Sequence, residues 1–260
     1  MGDRHLQGLP QTQNWRKIIS LLKATNDPAT VADATSRAAK RGLDLAKRDP
    51  GVADTVYMLM KLVWSARSEN FRQELLNLGI SISERASLLD IVGAFNETLD
   101  KRMRQRGHRT DLAEMAHFSA VDALIDVCQG ETGSLFSVSA SDTQQSLKKY
   151  STSERFGVIG KNFFGKFLYR FLDYHLSREL PNHIGSGRQF QSISESSRFK
   201  EALERHCRET VLIIKDFSGC WPSASEFKDG ISPENVRRKF LPVAFKKIRG
   251  ELGKREGTDA

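Results

Sequence analysis

VIGKNFFGKFLYRFLDYHLSREL, Val158 to Leu180, is the stretch whose reading decides the fold. Phe163, Phe164, Phe167, Leu168, Phe171, Leu172 and Leu176 recur three and four residues apart, the spacing that stacks side chains along one broad face of an α-helix. That face is too wide for a single neighbour, so the helix is expected at the centre of a bundle with several others packed around it. Pro181 ends it, because proline has no N–H for an interior helical bond and disfavours helical geometry at Leu180. Upstream, Ser151 and Glu154 have capping-box spacing. Gly157, Gly160 and Gly165 each carry a backbone-entropy cost, which points to a kinked start or to close packing against another helix. With Lys161 they do not form a phosphate loop: the Ser or Thr after the lysine, the GxxxxGK spacing and a preceding strand are all missing.

Outward from this segment the chain reads as helices joined by turns. Asp27-Pro28 and Asp49-Pro50 each read as N-cap followed by first helical residue. The first pair opens a helix to about Lys47, the second a helix that buries Val56, Leu59, Met60, Val63 and Trp64. Residues Glu69 to Leu78 lead to a turn at Gly79. Ser81 and Glu84 have capping-box spacing before the apolar line Ala86, Leu89, Val92, Phe95 and Leu99. Asp111 and Glu114 open a helix whose core side is read as Met115, Phe118, Val121, Leu124, Ile125 and Cys128.

After the aromatic helix, Gly185 to Ser192 offers little to bury and reads as a rim loop. Ser192 and Glu195 then cap a helix carrying Phe199, Leu203, Cys207, Val211 and Ile214. Trp221-Pro222 is read as an interruption, with Ser223 and Glu226 starting a short helix beyond it. Ser232-Pro233 opens the last segment, where Pro242 predicts a kink or two short helices. The fold expected is all-α, an irregular multi-helix bundle with a central aromatic-rich helix. Its division is read as an N-terminal lobe over 1–130, a linker at 131–141, a C-terminal lobe over 142–250 and a tail at 251–260, with one continuous domain as the alternative.

At 260 residues, with a hydrophobic fraction of 39% and 15 phenylalanines, the chain is ample for a buried core. No apolar run reaches transmembrane length and the first residues lack the apolar centre of a secretory signal, so a cytoplasmic protein with no transmembrane association is expected. Cys128, Cys207 and Cys220 are widely spaced and odd in number, which suits reduced thiols better than a disulfide framework or a zinc site. Glu114 and His117 make one Glu-x-x-His pair, but a di-iron bundle site needs a second pair and further glutamates. Asp122 and Asp126 share a helical face without specifying a reaction. No cofactor and no metal is expected.

Lys and Arg total 40 against 32 acidic residues. Residues 1–130 hold 18 basic and 16 acidic positions and residues 131–260 hold 22 and 16, so most of the positive excess lies in the second half. Two clusters stand out, Lys101, Arg102, Arg104, Arg106 and Arg109, then Arg237, Arg238, Lys239, Lys246, Lys247 and Arg249. Either suits a solvated helical face, an acidic partner or phosphates.

The leading functional expectation is a protein-interaction or scaffold module with a protein partner. Its contact surface is read at the end of the central helix and the loop that follows, around His175, Glu179, His183 and Arg188. His175, Glu179 and His183 also resemble a ligand line at intervals of four, which Pro181 breaks. The first alternative is nucleic-acid association through the phosphate backbone at Arg237, Arg238, Lys239, Lys246, Lys247 and Arg249, without a base-reading motif. The second is a helical enzyme whose site is assembled from distant residues.

Overall fold

The computed structural model describes residues 13–24, 27–38, 40–83, 86–132, 140–228 and 230–254. Its helices are α1 (Gln13–Ala24), α2 (Pro28–Ala38), α3 (Lys40–Ala46), α4 (Pro50–Ser65), α5 (Phe71–Asn77), α6 (Leu88–Arg106), α7 (Asp111–Thr132), α8 (Ala140–Tyr150), α9 (Ser153–Leu176), α10 (Ile193–Thr210), α11 (Ile214–Lys228), α12 (Pro233–Asn235) and α13 (Leu241–Lys254). Short 3-10 turns cover Leu180–His183 and Val211–Ile213, and a π-helical turn, Val236–Phe240, joins α12 to α13. The fold is an all-α, irregular bundle centred on the aromatic helix α9. None of its described helices is long and apolar enough to cross a membrane. Readings that fall on Glu84, the Cys128 side chain, residues 133–139 and the chain ends lie outside the described residues.

α9 packs against α7, α10 and α11, with α2 and α8 completing its surroundings. Phe163, Phe164, Phe167 and Phe171 are all buried on it. Phe163 and Phe164 meet edge to face with centroids 4.9 Å apart, and Phe164 and Phe167 approach Phe245 of α13 at 5.8 and 5.6 Å. Phe240 of the π turn lies 6.0 Å from Phe164, 5.2 Å from Phe217 and 5.1 Å from Trp221. Such ring pairs add roughly 0.5–1.5 kcal/mol beyond their burial and fix how the helices cross. Across the other side of α9, Lys166 pairs with Asp126 at 2.9 Å and Arg170 with Asp122 at 2.6 Å on α7.

The glycines of α9 are explained by α11. A Cβ at Gly157 would strike the backbone carbonyl of Lys215, one at Gly160 would strike the Ser218 side chain, and one at Gly219 would strike the carbonyl of Ser153. Only hydrogen at these positions lets the two helices approach so closely. α9 is one continuous helix from Ser153. Its N-cap is Thr152, which makes no side-chain cap bond, so Ser151 and Glu154 do not form the expected box. Ser151 Oγ instead accepts from Arg67 Nε at 2.9 Å, and Arg67 Nη2 donates to the Ser151 carbonyl.

Several other expectations hold. Asp49 caps α4, Ser192 caps α10 through the N–H of Glu195, and Ser232 caps α12. The Asp27 carboxylate accepts from the N–H of Thr30 at the start of α2. At α6 the expectation differs: the capping box is formed by Ser87 and Asp90, six residues beyond the Ser81 read as its start.

Four readings are corrected. Phe118 is 53% exposed, because α7 is rotated to bury Ala113, Ala116, Ala120, Ala123, Leu124 and Val127; small residues let it sit close to its neighbours. Pro222 does not interrupt α11, which runs through it with the proline ring buried. The loss there is limited to one backbone bond, to the Ser218 carbonyl. The loop after α9 closes on itself: Phe190 donates to the His183 carbonyl and accepts from Gly185 N–H, and its ring is buried 5.4 Å from Phe199. Residues 251–254, read as tail, belong to α13, where Leu252 is buried.

The close approach of α9 and α11 predicts opposite effects of one substitution at two glycines. Gly157→Ala destabilises by about 2 kcal/mol through overpacking against a carbonyl that cannot rotate away. Gly93→Ala, in α6 with open space around it, stabilises by up to about 1 kcal/mol through helix propensity. Denaturant unfolding of the two variants measures both.

Candidate anion-binding site

α4 is buried on nearly every side, yet it holds two buried carboxylates, Asp49 and Asp54. The Asp49 Oδ1 accepts from the N–H groups of Gly51 and Val52 at 2.8 and 2.9 Å, capping α4. Its Oδ2 accepts from the Thr110 hydroxyl at 2.9 Å, and Thr110 Oγ1 accepts in turn from the N–H of Ala113, capping α7. Burial raises the Asp49 carboxyl above its ordinary value, against the lowering effect of these hydrogen bonds. The two helix starts meet because residue 51 is glycine; a Cβ there would lie 2.5 Å from Ala113 Cβ and 2.6 Å from the His108 carbonyl oxygen.

Asp54, farther along α4, has a side chain only 1% exposed and draws in the end of α6. Its Oδ1 accepts from Arg106 Nη1 at 3.0 Å and Arg102 Nη2 at 3.4 Å, and its Oδ2 lies 2.9 Å from His108 Nδ1. Gly107, in the left-handed region with φ 65°, ends α6 and turns the chain so that His108 comes back to α4. The carboxylate contact assigns the proton of a neutral imidazole to Nδ1, which leaves Nε2 as the acceptor of the ring.

Asp54 lies at one side of a cleft of about 440 Å3 between the start of α4, the 107–110 turn and α12. Pro50, Ala53 and Pro233 give it an apolar wall, while Arg106, His108, Ser232 and Arg237 give it a polar one. Arg237 pairs with Glu234 at 2.7 Å, and Arg238 reaches the same carboxylate at 3.8 Å. Asp54 and Glu234 thus each serve two guanidinium groups, of which Arg106 and Arg237 line the cleft, so two arginines stand there against two carboxylates. Among the described residues no hydrogen bond joins Ser232 to His108; the serine hydroxyl accepts from Asn235 N–H at 3.2 Å, so Ser232, His108 and Asp54 are not an assembled nucleophilic triad.

This cleft joins the two basic clusters that the sequence presents separately, through Arg106 and Arg237. Of the other C-terminal cations, Arg238, Lys239 and Lys246 are exposed, Lys247 lies over the Phe217 ring at 6.0 Å, and Arg249 pairs with Asp44 at 3.0 Å. His175 and His183 are buried, whereas Glu179 is partly exposed and Arg188 is exposed, with Nη1 donating to the Asn182 carbonyl at 2.9 Å. Glu179, Arg188 and Lys23 lie within electrostatic range of His183, and Arg178 within range of His175. Among the described residues no three His, Cys, Asp or Glu side chains are placed to hold a metal ion. Asp54 and His108 are a buried contact that sequence reasoning missed. The available signal was an aspartate inside a helix otherwise apolar enough to be buried all round.

Two expected outcomes follow from these buried groups. Asp54→Ala removes the acceptor of three donors and leaves Arg102 and Arg106 without it; because Arg106 is 45% exposed and reaches water, the loss is about 2 kcal/mol, below that for a wholly buried pair. Thermal unfolding measures it. Burial, with Arg178 adding to it, holds the His175 imidazole at about 4 rather than the ordinary 6.5. The unfolded chain therefore takes up this proton at higher pH than the folded chain, and stability falls as pH drops through that window. The contribution amounts to about 3 kcal/mol between roughly pH 6.5 and 4, and His175→Leu flattens the decline seen by urea unfolding across that range.

No protein-family model, curated protein or solved structure matches the chain.

Proposed function

We propose that the protein is a helical binding module that contacts the phosphate backbone of nucleic acid. The observation that carries this reading is the meeting of Arg106 and Arg237 at one cleft, next to the exposed Arg238, Lys239 and Lys246. Positive charge spread over two distant parts of the sequence becomes one surface, and charges on such a surface release counterions when they meet phosphates. The reading carries no sequence preference, since the sequence holds no base-reading motif.

A protein-contact role is supported separately by Leu212, 56% exposed, and its neighbour Ile213, which stand out together at the corner between α10 and α11. The loop site read from sequence supports it less, because His175 and His183 belong to the core.

Replacing Arg238, Lys239 and Lys246 together with glutamine tests the backbone reading without touching the structural pairs of Arg237 and Arg249. Anisotropy titrations of single- and double-stranded oligonucleotides over a salt series should show affinity falling with salt, and the slope of log affinity against log salt should shrink by about 2–3 in the variant. Absence of binding at low salt, or an unchanged slope in a folded variant, overturns the reading.

A further inference from the structure

We propose that the outer face of the α6–α7 hairpin is the interface through which two copies of this chain pair about a two-fold axis. This goes beyond the phosphate-contact reading and does not rest on it. The surface carries an aromatic ridge beside a gap, and its charge is divided from one end to the other.

α6 and α7 are joined by the 107–110 turn and pack against each other, and a bond between the Asn96 backbone and the His117 imidazole sets their register. Counting from that pair along antiparallel helices, Phe118 and Val121 come level with the stretch around Gly93, and Ile125 with Leu89. Phe118, Val121 and Ile125 recur on one face of α7, as Leu89, Gly93 and Glu97 do on α6. Phe118 is 53% exposed and Leu89 40%, while Val121 and Ile125 are partly exposed. Gly93 is exposed, and a Cβ placed there meets nothing within 4 Å. A large ring on one helix therefore stands beside a place where the other carries no side chain.

The ridge is already held in place. The Phe118 ring lies flat against the buried His117 imidazole, with planes 1° apart and centroids 5.5 Å apart. An aromatic anchor fixed before association loses little freedom on binding, and such anchors dominate interface energies. Next to it a cleft of about 640 Å3 opens between the two helices, with room for side chains from a facing surface.

Charge selects a second copy as the partner. Toward the 107–110 turn the face carries the exposed Lys101 and Arg104, and toward its other end the exposed Asp90 and Asp126. Arg104 pairs with Asp100 at 2.6 Å and Asp126 with Lys166 at 2.9 Å, whereas among the described residues Lys101 makes no ion pair. A partner surface of one sign meets repulsion at one end of this face. A two-fold axis near the level of Phe118 and Gly93 reverses the second copy. Lys101 of each copy then faces Asp90 of the other, and the Phe118 ridge of each enters the gap at Gly93 of the other. Every contact is made twice, as an isologous interface requires.

Sedimentation velocity of the full chain over a concentration series tests the pairing, with the folding of each variant checked by thermal unfolding. The wild type is expected to pass from monomer to dimer below about 100 µM. Phe118→Ala should weaken the dimer at least about thirtyfold. Gly93→Gln puts a good helix former into open space, so the monomer stays folded while the gap is filled, with a similar loss of pairing. Lys101→Glu and Asp90→Lys should each weaken pairing about tenfold. Mixing those two variants should restore a dimer with one copy of each, because each reversed charge again faces its opposite. A chain that stays monomeric throughout overturns the proposal, whatever else then binds this face. Wild-type pairing in Phe118→Ala or Gly93→Gln, or no restoration in the mixture, overturns it as well.

Discussion

The close approach of α9 and α11 is the constraint on which the rest of the bundle depends. Gly157, Gly160 and Gly219 bring no side chain of their own to the contact, where Ser218 lies against Gly160 and donates its hydroxyl to the Ile214 carbonyl. This contact sets the orientation of α9 against α11, from which its phenylalanines reach the rings of the last segment. Phe164 and Phe167 are directed at Phe245, and Phe164 also reaches Phe240, so the position of α13 and of the π turn before it is inherited from the glycine contact. α7 is then held from the opposite side by Lys166 and Arg170, whose pairs with Asp126 and Asp122 are partly exposed and contribute little energy but fix the axial position.

A buried carboxylate such as Asp54 is costly unless donors surround it. Here the cost is offset by two guanidiniums and an imidazole arriving from one short stretch, Arg102 to His108, which is possible because Gly107 reverses the chain. The Asp49, Thr110 and Ala113 relay and the contact of Gly51 with Ala113 hold the start of α7 against the start of α4. The hub therefore orders a turn and three helix ends together, and it leaves the cleft beside it with cations that are already positioned.

The parts of this arrangement that were legible in the sequence are those decided within a few residues. Asp27, Asp49, Ser192 and Ser232 cap the helices they precede because a cap is a local hydrogen bond. The aromatic face of α9 was legible because seven large apolar residues share one period. What failed was decided by distant partners. Phe118 shares the apolar spacing of α7, but alanines on the adjacent face allow closer packing, so the helix turns its small side inward. Phe190 sits in a stretch of polar and turn residues, and only the position of Phe199 gives its ring a place to go. Asp54 stands in a helix apolar enough to be buried all round, but its partners Arg102, Arg106 and His108 lie 48 to 54 residues on, where no local pattern in α4 points. The cleft was illegible for the same reason, since its two cationic sides are contributed by α6 and by the segment after α11.

The last helical segment shows how a local irregularity divides buried apolar side chains from surface charge. Pro242 has no N–H to give to the carbonyl of Arg238, four residues earlier, so an ordinary α-helix across this point would carry a broken bond and a clash between ring and carbonyl. The chain meets this with a π turn over Val236–Phe240, one residue before the proline, and the helix continues through Lys254. A π turn inserts the equivalent of one extra residue and changes the angular relation of the side chains before it to those after it. Val236 and Phe240 remain buried across the turn while Arg237 and Arg238 both reach back to Glu234. Arg237 is thereby directed to the cleft beside Asp54, and Lys239 and Lys246 stay on the outer face. The proline that suggested a broken helix thus sits next to the feature that lets one continuous segment serve the aromatic core, the cleft and the exposed basic surface at once.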